Sequence, residues 1–494
     1  MVARIMLLMA MAGLFPAFAA AQPVSLQEAV KQAITTNPDV QARWHAFKAA
    51  IYEQEVARGG YFPRVDLTAS TGRESLTEPN QPANTYNRRN AVLSLTQMLF
   101  DGFATRNEVA RLGYTKLGRY YEVLDASETT ALDATRAYLD VMRYRELARL
   151  TQENFAQHDQ LYGQIQERVQ AGVGRRVDFE QASGRLALAQ SNMLTEASNL
   201  HDVSARYLRI VGTLPPGEMI APELIKQGIP PSIEEALRLA YQGSPAFNAA
   251  IESVRAAQAE AHGKRSNFMP RIDLRARKDI TDNYLGVTGR RDNEVVELIL
   301  NYNLFKGGSD TALLRQYAER LKQSQDLRDR SCREIRQTIT IAFKDIQSIG
   351  RQLVFLDQHQ LSIEKAREAY RKQFDIGQRT LLDLLDTENE YFQARRAYVN
   401  ASFEHAIAHA RTLAGMGKLL ASLQVNRDGM PSEKELGQDR YEVDPDSQCP
   451  AESPSVAAYD LPQPRQTSYP AVQNQPPIIN YTPPTRPTAP APVK

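Results

Sequence analysis

The sequence predicts a mainly α-helical protein that also carries a membrane β-barrel, with the chain built from an internal duplication. Three observations predict this. One order of motifs occurs twice, two pairs of segments alternate apolar and polar residues, and two proline-free helical stretches each exceed sixty residues.

The duplication comes first, because a missed repeat misassigns the whole fold. "SLQEAVKQAITTNPDV" from Ser25 is matched by "SIEEALRLAYQGSPAF" from Ser232, 207 positions later. At the same offset "YFPRVDL" (Tyr61 to Leu67) meets "FMPRIDL" (Phe268 to Leu274). "LFDG" at Leu99 then meets "LFKG" at Leu304, and "AGVGRRVDF" from Ala171 meets "IGQRTLLDL" from Ile376, now at an offset of 205.

Each half opens with a short helix and an Asn-Pro or Ser-Pro step. Asn37 and Ser244 suit an N-cap, and Pro38 and Pro245 suit the first helical position, where a missing N–H costs nothing. The following helix runs to about Gly59 in the first half and about Asn267 in the second, before Pro63 and Pro270 end helical geometry.

Strands are expected at about 64–76, 88–100, 271–284 and 292–304. Val65, Leu67 and Ala69 share one face, with Asp66, Thr68 and Ser70 on the other. Ile272, Leu274 and Ala276 oppose Asp273, Arg275 and Arg277; Val296, Leu298, Leu300, Tyr302 and Leu304 oppose Glu297, Ile299, Asn301 and Asn303. An apolar face and a charged face over about ten residues is the pattern of an outer-membrane barrel strand. A half-buried sheet in water has the same period, and alternation alone leaves both open.

Long helices follow each strand pair, from about Ala104 to Gln170 and from about Asp310 to Phe374. Leu139 and Met142, Leu147 and Leu150, then Leu161, Ile165 and Val169 keep three-and-four spacing, as do Leu353, Leu356 and Ile363. At 1.5 Å per residue each helix spans roughly 100 Å, a length that calls for helix-on-helix packing. Glycine-marked turns (Gly172 to Gly174, Gly377) lead into returning helices that end near Val211-Gly212 and near Gly415-Met416-Gly417.

The chain ends set the compartment. Arg4, the apolar run Ile5 to Phe15 and the Ala19-Ala20-Ala21 site read as a secretory signal cut after Ala21. Gln22 follows with no cysteine nearby, so a lipid-anchored terminus is not expected. The net charge is +1, which gives no reason to expect nucleic acid, and the mean hydropathy of −0.45 argues against a helical membrane protein. Cys332 and Cys449 match no zinc spacing; they either form one bridge between body and tail or stay free. Residues 444–494 hold 13 of the 27 prolines, a composition that predicts disorder. No Gly-rich phosphate loop, GxSxG, HExxH or Cys/His nucleophile pair is present, so no enzyme and no cofactor is expected, and energy must come from a partner.

Four strands cannot close a membrane barrel, since eight is about the smallest. An open edge in lipid leaves backbone groups unpaired at several kcal/mol each. Chains must therefore pool strands, and three chains give twelve. On "NPDV" at Asn37, "YFPRVDL", "LFDG" and above all "IGQRTLLDLLD" from Ile376, the sequence resembles the TolC family of outer-membrane channel proteins across nearly all of Ser25 to Leu420. The resemblance implies a homotrimer with a twelve-stranded barrel in the outer membrane and a helical barrel in the periplasm of a Gram-negative cell. It also implies outer-membrane lipid around the barrel and docking onto a periplasmic adaptor and an inner-membrane transporter of ABC type. The expected plan is signal 1–21, channel body 22–423 with repeats at about 25–212 and 232–420, and a Pro-rich tail 424–494.

Matching the entrance motif makes Arg379 a link between neighbouring helices and makes Asp383 and Asp386 the acid rings of the narrowest point. Three copies of each would favour cations, and crowded like charges would raise some of their pKa values. Thr380-x-x-Asp383 also reads as a capping box, which accounts for Asp383 but not Asp386. Two departures stand out: Phe374 where the family commonly has tyrosine, and Val177 where it has threonine, beside Asp178. A latch with fewer polar links follows, with Arg379 to Asp178 still available. Gly172, Val173, Gly174, Arg175 and Arg176 form one tip and Gly377, Gln378 and Thr380 the other; they face the adaptor or are ordinary turns. His405 and His409 have metal-ligand spacing, but "HAIAH" offers no third ligand.

The implied function is a passive exit duct. Missing N-terminal cysteine and the entrance motif tilt the reading toward type I secretion of a protein, such as a large adhesin. Small-molecule efflux is the alternative. A periplasmic coiled-coil scaffold without a pore is a distant third, having no use for charged strand faces.

Overall fold

The computed structural model describes residues 24–79, 82–223, 228–432, 435–436 and 449. The signal segment lies outside the described residues, as does the Pro-rich tail apart from the few just named.

Both repeats follow one order. The first contains α1 (Leu26–Thr36), α2 (Pro38–Arg58), β1 (Arg64–Leu76), β2 (Asn84–Phe100), α3 (Ala104–Gln170) and α4 (Arg176–Val211). The second contains α5 (Ile233–Gly243), α6 (Pro245–Gly263), β3 (Arg271–Asp282), β4 (Arg290–Asn301), α7 (Ser309–Asp375) and α8 (Leu381–Gly415), followed by a short α9 (Leu419–Ser422). Asn37 caps α2 through its side chain, accepting from the Asp39 N–H at 2.9 Å. Ser244 sits at the N-cap of α6 without a side-chain cap bond, so only one of the two expected caps forms.

The strands make one antiparallel sheet in the order β1-β2-β3-β4. β2 pairs with β3, which joins the repeats (Leu95 opposite Ala276, Leu93 opposite Lys278). Pairing carries β2 back to Asn84, beyond its alternating stretch, because Leu76 still finds Asn84 as a partner. β4 stops at Asn301, opposite Arg271, which is where β3 begins. Tyr302 and Leu304 therefore lie past the ladder, exposed ahead of the Gly307-Gly308 turn.

One sheet face is open and mainly apolar: Val65, Leu67, Leu93, Leu95, Val296, Leu298 and Leu300 are all exposed, and Lys278 shares this face, paired with Glu294 at 2.7 Å. The other face is ion-paired, with Arg275 to Glu297 at 2.6 Å, Arg271 to Asp273 at 2.8 Å and Arg277 to Asp279 at 3.1 Å. β1 and β4 are the two edges of the sheet. No helix among the described residues is long and apolar enough to cross a membrane.

α3 and α7 each run 67 residues. Each folds back with its partner, α4 or α8, into a long hairpin. The largest core lies midway along the hairpins, where both repeats meet. Ala131, Ala134, Tyr138 and Met142 of α3 pack there with Tyr207 of α4, Leu237 and Tyr241 of α5, Ile339 of α7 and Phe403 and Leu413 of α8. The Tyr138 hydroxyl lies within hydrogen-bond distance of the Val24 and Ile220 carbonyls (2.8 and 2.7 Å), which holds the start of the described chain against this core. Cys332 of α7 is joined to Cys449 in the same core, with Cα atoms 6.1 Å apart at a sequence separation of 117. The question that spacing left open is thus answered by proximity.

Glu128 of α3 is 6% exposed and accepts the backbone N–H groups of Leu419 (3.2 Å) and Leu420 (3.4 Å). Burial pushes its carboxyl up to about 8, against the downward pull of those two bonds. The folded chain therefore holds this proton more tightly than the unfolded chain. The resulting stabilisation is complete below the unfolded value of 4.5 and is lost as pH rises through about 8. Thermal unfolding should show stability falling between pH 5 and 8 by on the order of 3 kcal/mol per chain. Glu128→Gln keeps an acceptor and removes the titration, so it should flatten that slope.

Candidate functional site

The two hairpin tips are built alike and finished differently. Each turns on a left-handed glycine, Gly172 at φ +76° and Gly377 at φ +75°, a conformation that side chains rarely adopt. The N–H groups of Val173 and Gly174 donate to the Arg168 carbonyl (3.0 and 2.9 Å), and that of Gln378 donates to the Gln373 carbonyl (2.8 Å). The last carbonyls of each long helix are satisfied in this way. A Cβ on Gly174 would stand 2.8 Å from the Val169 nitrogen, so the first turn has no room for a larger residue.

Arg175 and Thr380 hold equivalent positions at the two N-caps. Arg175 makes no side-chain cap bond, and beside it Arg176 lies 3.9 Å from Glu180. Thr380 closes a complete capping box with Asp383. The Asp383 N–H donates to Thr380 Oγ1 (3.3 Å), while the Thr380 N–H and hydroxyl donate to Asp383 Oδ2 (3.2 and 2.9 Å). Such a cap contributes about 1 kcal/mol. The Thr380 bonds, with help from Arg379 at 3.8 Å, hold the Asp383 carboxyl below the ordinary range. The crowding expected to raise some of the six carboxylates acts between three copies; within one chain the cap lowers this one.

Arg379 is committed to its own hairpin. Its guanidinium lies 4.4 Å from the Tyr370 ring centroid, and Nε donates to Gln373 Oε1 at 3.1 Å. Among the described residues no Arg379–Asp178 ion pair forms within the chain; the expected link then falls between neighbouring copies. Asp178 sits in the first turn of α4 and Val177 beside it is exposed. Val173 at the same tip is 79% exposed.

Phe374 replaces the missing hydroxyl with packing. It is 6% exposed and lies among Leu161 and Ile165 of α3, Ala182 of α4 and Leu381, Leu384 and Leu385 of α8. The Arg168 guanidinium covers its ring at 5.0 Å, an arrangement attractive through the ring quadrupole. Three helices from both repeats thus close on one side chain of α7.

Asp386 has a partner that the sequence did not reveal: Arg185 of α4 at 2.6 Å. It is one of a series of ties across the seam between the hairpins. Arg371 donates to Gln157 (2.8 Å), Arg395 to Glu153 (2.8 Å), Arg143 to Glu404 (2.7 Å) and Arg396 to Glu196. These partners stand 200 to 261 positions apart and follow no repeat offset, so periodicity carried no signal for them. His405 and His409 pack ring to ring at 4.7 Å, and His405 Nε2 lies 3.2 Å from the Ile346 carbonyl oxygen. Among the described residues no group of three His, Cys, Asp or Glu could hold a metal.

The family model "Outer membrane efflux protein" matches the chain twice, over residues 29–213 and 236–417. The chain is 26% identical over 368 residues to the outer membrane efflux protein BepC of Brucella suis biovar 1, covering 74% of this chain and 79% of that one. It is 25% identical over 406 residues to the alkaline protease secretion protein AprF of Pseudomonas aeruginosa, covering 77% and 81%. Its fold is similar to that of the outer-membrane channel OprN, with a TM-score of 0.71 at 18% identity over 80% of this chain and 90% of that one.

If the tip is held by packing more than by polar links, Phe374→Ala should loosen it most, since such truncations cost about 3–5 kcal/mol. Single-channel conductance in planar bilayers should rise clearly for Phe374→Ala and only slightly for Arg379→Ala. Equal rises in both, or a larger rise for Arg379→Ala, would give the arginine the greater part.

Proposed function

The chain belongs to the outer membrane efflux protein family, and on that premise we propose that three copies form a passive exit duct through the outer membrane and periplasm. The family is one of outer-membrane channel proteins, not enzymes. The observation that carries the duct reading is the four-stranded sheet. It has two free edges, one open, mainly apolar face and one ion-paired face. Lipid tolerates the apolar face but not the edges. β1 of one copy pairing with β4 of the next removes both edges and closes twelve strands, a size within the range of membrane barrels. The hairpins then line up below the barrel as a periplasmic tube.

In this arrangement the tips form the far end. Asp383 and Asp386 narrow it, and the exposed Val173, Arg175, Gly377 and Gln378 meet a periplasmic adaptor. An inner-membrane transporter supplies the energy. For cargo, our reading is a protein exported by type I secretion. It is supported by the similarity to AprF, whose name assigns it to protease secretion. The second reading is small-molecule efflux, favoured by the similarity to BepC.

Fractionation tests the duct. The protein should migrate as a heat-dissociable trimer from outer membranes, and a monomer confined to the periplasm would end the reading. Deleting the gene then separates the cargoes. Loss of a protein from the culture medium with unchanged drug tolerance supports secretion, and the reverse result supports efflux.

A further inference from the structure

Asp383 and Asp386 lie on one face of α8, three residues apart, yet they are held in different ways. Every partner of Asp383 belongs to the α7–α8 hairpin: the Thr380 backbone and hydroxyl, and Arg379. These partners move with it. The Asp386 carboxylate is held across the seam by Arg185 of α4, with Nη2 2.6 Å from Oδ1. Arg185 is 30% exposed and Asp386 58% exposed at their side chains. Such a pair adds little to stability. It nonetheless places a positive charge 2.6 Å from the carboxylate and so offsets much of its local field.

The duplication does not repeat this pair. Gln181 stands where Asp386 has its counterpart in the first repeat, and Glu390 stands where Arg185 has its counterpart in the second. The pair is therefore a feature of the seam and not a by-product of the shared plan.

We propose that Arg185 sets the cation affinity of the constriction by masking Asp386 while the hairpins are together. This rests on the duct reading, in which three copies bring these acids around one axis. With the seam closed, each acid faces a guanidinium: Asp386 that of Arg185 at 2.6 Å, across the seam, and Asp383 that of Arg379 at 3.8 Å, within its own hairpin. Parting the α7–α8 hairpin from the α3–α4 hairpin breaks the Arg185 bond and leaves the Asp383 cap intact. Opening then takes the guanidinium away from Asp386 alone, one carboxylate per copy, so the passage becomes more attractive to cations as it widens.

The test uses purified trimers in planar bilayers, with lanthanum(III) added on the tip side as the blocking probe and potassium-over-chloride selectivity as a second readout. Arg185→Gln should lower the lanthanum concentration for half-block by about tenfold and shift selectivity toward potassium. Arg185→Lys, which keeps the charge, should stay near the unmodified channel, and Arg185→Gln with Asp386→Asn should return to it. Unchanged block in Arg185→Gln, while Asp383→Asn weakens block, would overturn the role of Arg185 and leave the duct reading standing. Unchanged block in both would remove the acids from the passage and overturn the two together. A stronger block in Arg185→Gln that persists when Asp386→Asn is added would also overturn the proposal, since the unmasked acid would then not be Asp386.

Discussion

Everything below the middle of the molecule depends on the seam between the two helical hairpins. A helix of 67 residues with a polar surface gains little from its own sequence; its stability comes from what it packs against. α3 and α7 each have one returning helix, and two helices bury only part of a circumference. The rest is supplied where α8 meets α3 and α4. The seam is apolar at the tip, where Phe374 is enclosed, and mixed along its length, where arginines reach across to acids and amides on either side of the Leu147, Leu150 and Phe392 contact. An apolar seam would be tight and hard to part. Between the central core and the Phe374 plug, arginine ties alternate with one small apolar contact, Leu147 and Leu150 of α3 against Phe392 of α8, so the lower seam buries less apolar surface than the core above it.

The two tips show how one plan diverges by small changes. Both use the same glycine turn. The α7–α8 tip then gains a threonine and a working capping box, so the start of α8 is fixed by hydrogen bonds. The α3–α4 tip has arginine at that position and no side-chain cap. The helix start that bears the acids is thus the one with its first-turn N–H groups capped by a side chain. That is the end at which position would matter most in a narrow passage.

Much of this was legible in the sequence, for physical reasons that can be named. The repeat was visible because identical turns and strand starts need the same glycines and prolines. The strands were visible because a sheet with two different faces imposes a period of two. The ends of α3 are marked by Gly102 before it and Gly172 after it. The Phe374 contacts were not legible, because the missing tyrosine said only what the position lacks. The Arg185–Asp386 bond was hidden for another reason: it joins the two repeats, and its partners obey neither the helical period nor the repeat offset. Glu128 was hidden as well, since one acid among many on a long polar helix looks solvated until the start of α9 packs over it.

The Cys332–Cys449 link has a consequence for how the chain bears load. Those two residues bracket the lower part of α7, the whole of the acid-bearing tip, α8 and α9. That stretch is a closed covalent loop rooted in the central core. A pull on the tip is therefore transmitted along two strands of the same loop to one anchorage. It cannot be relieved by drawing out the C-terminal segment, because that segment is knotted back to the helix being pulled. The tip can swing, but the chain cannot pay out.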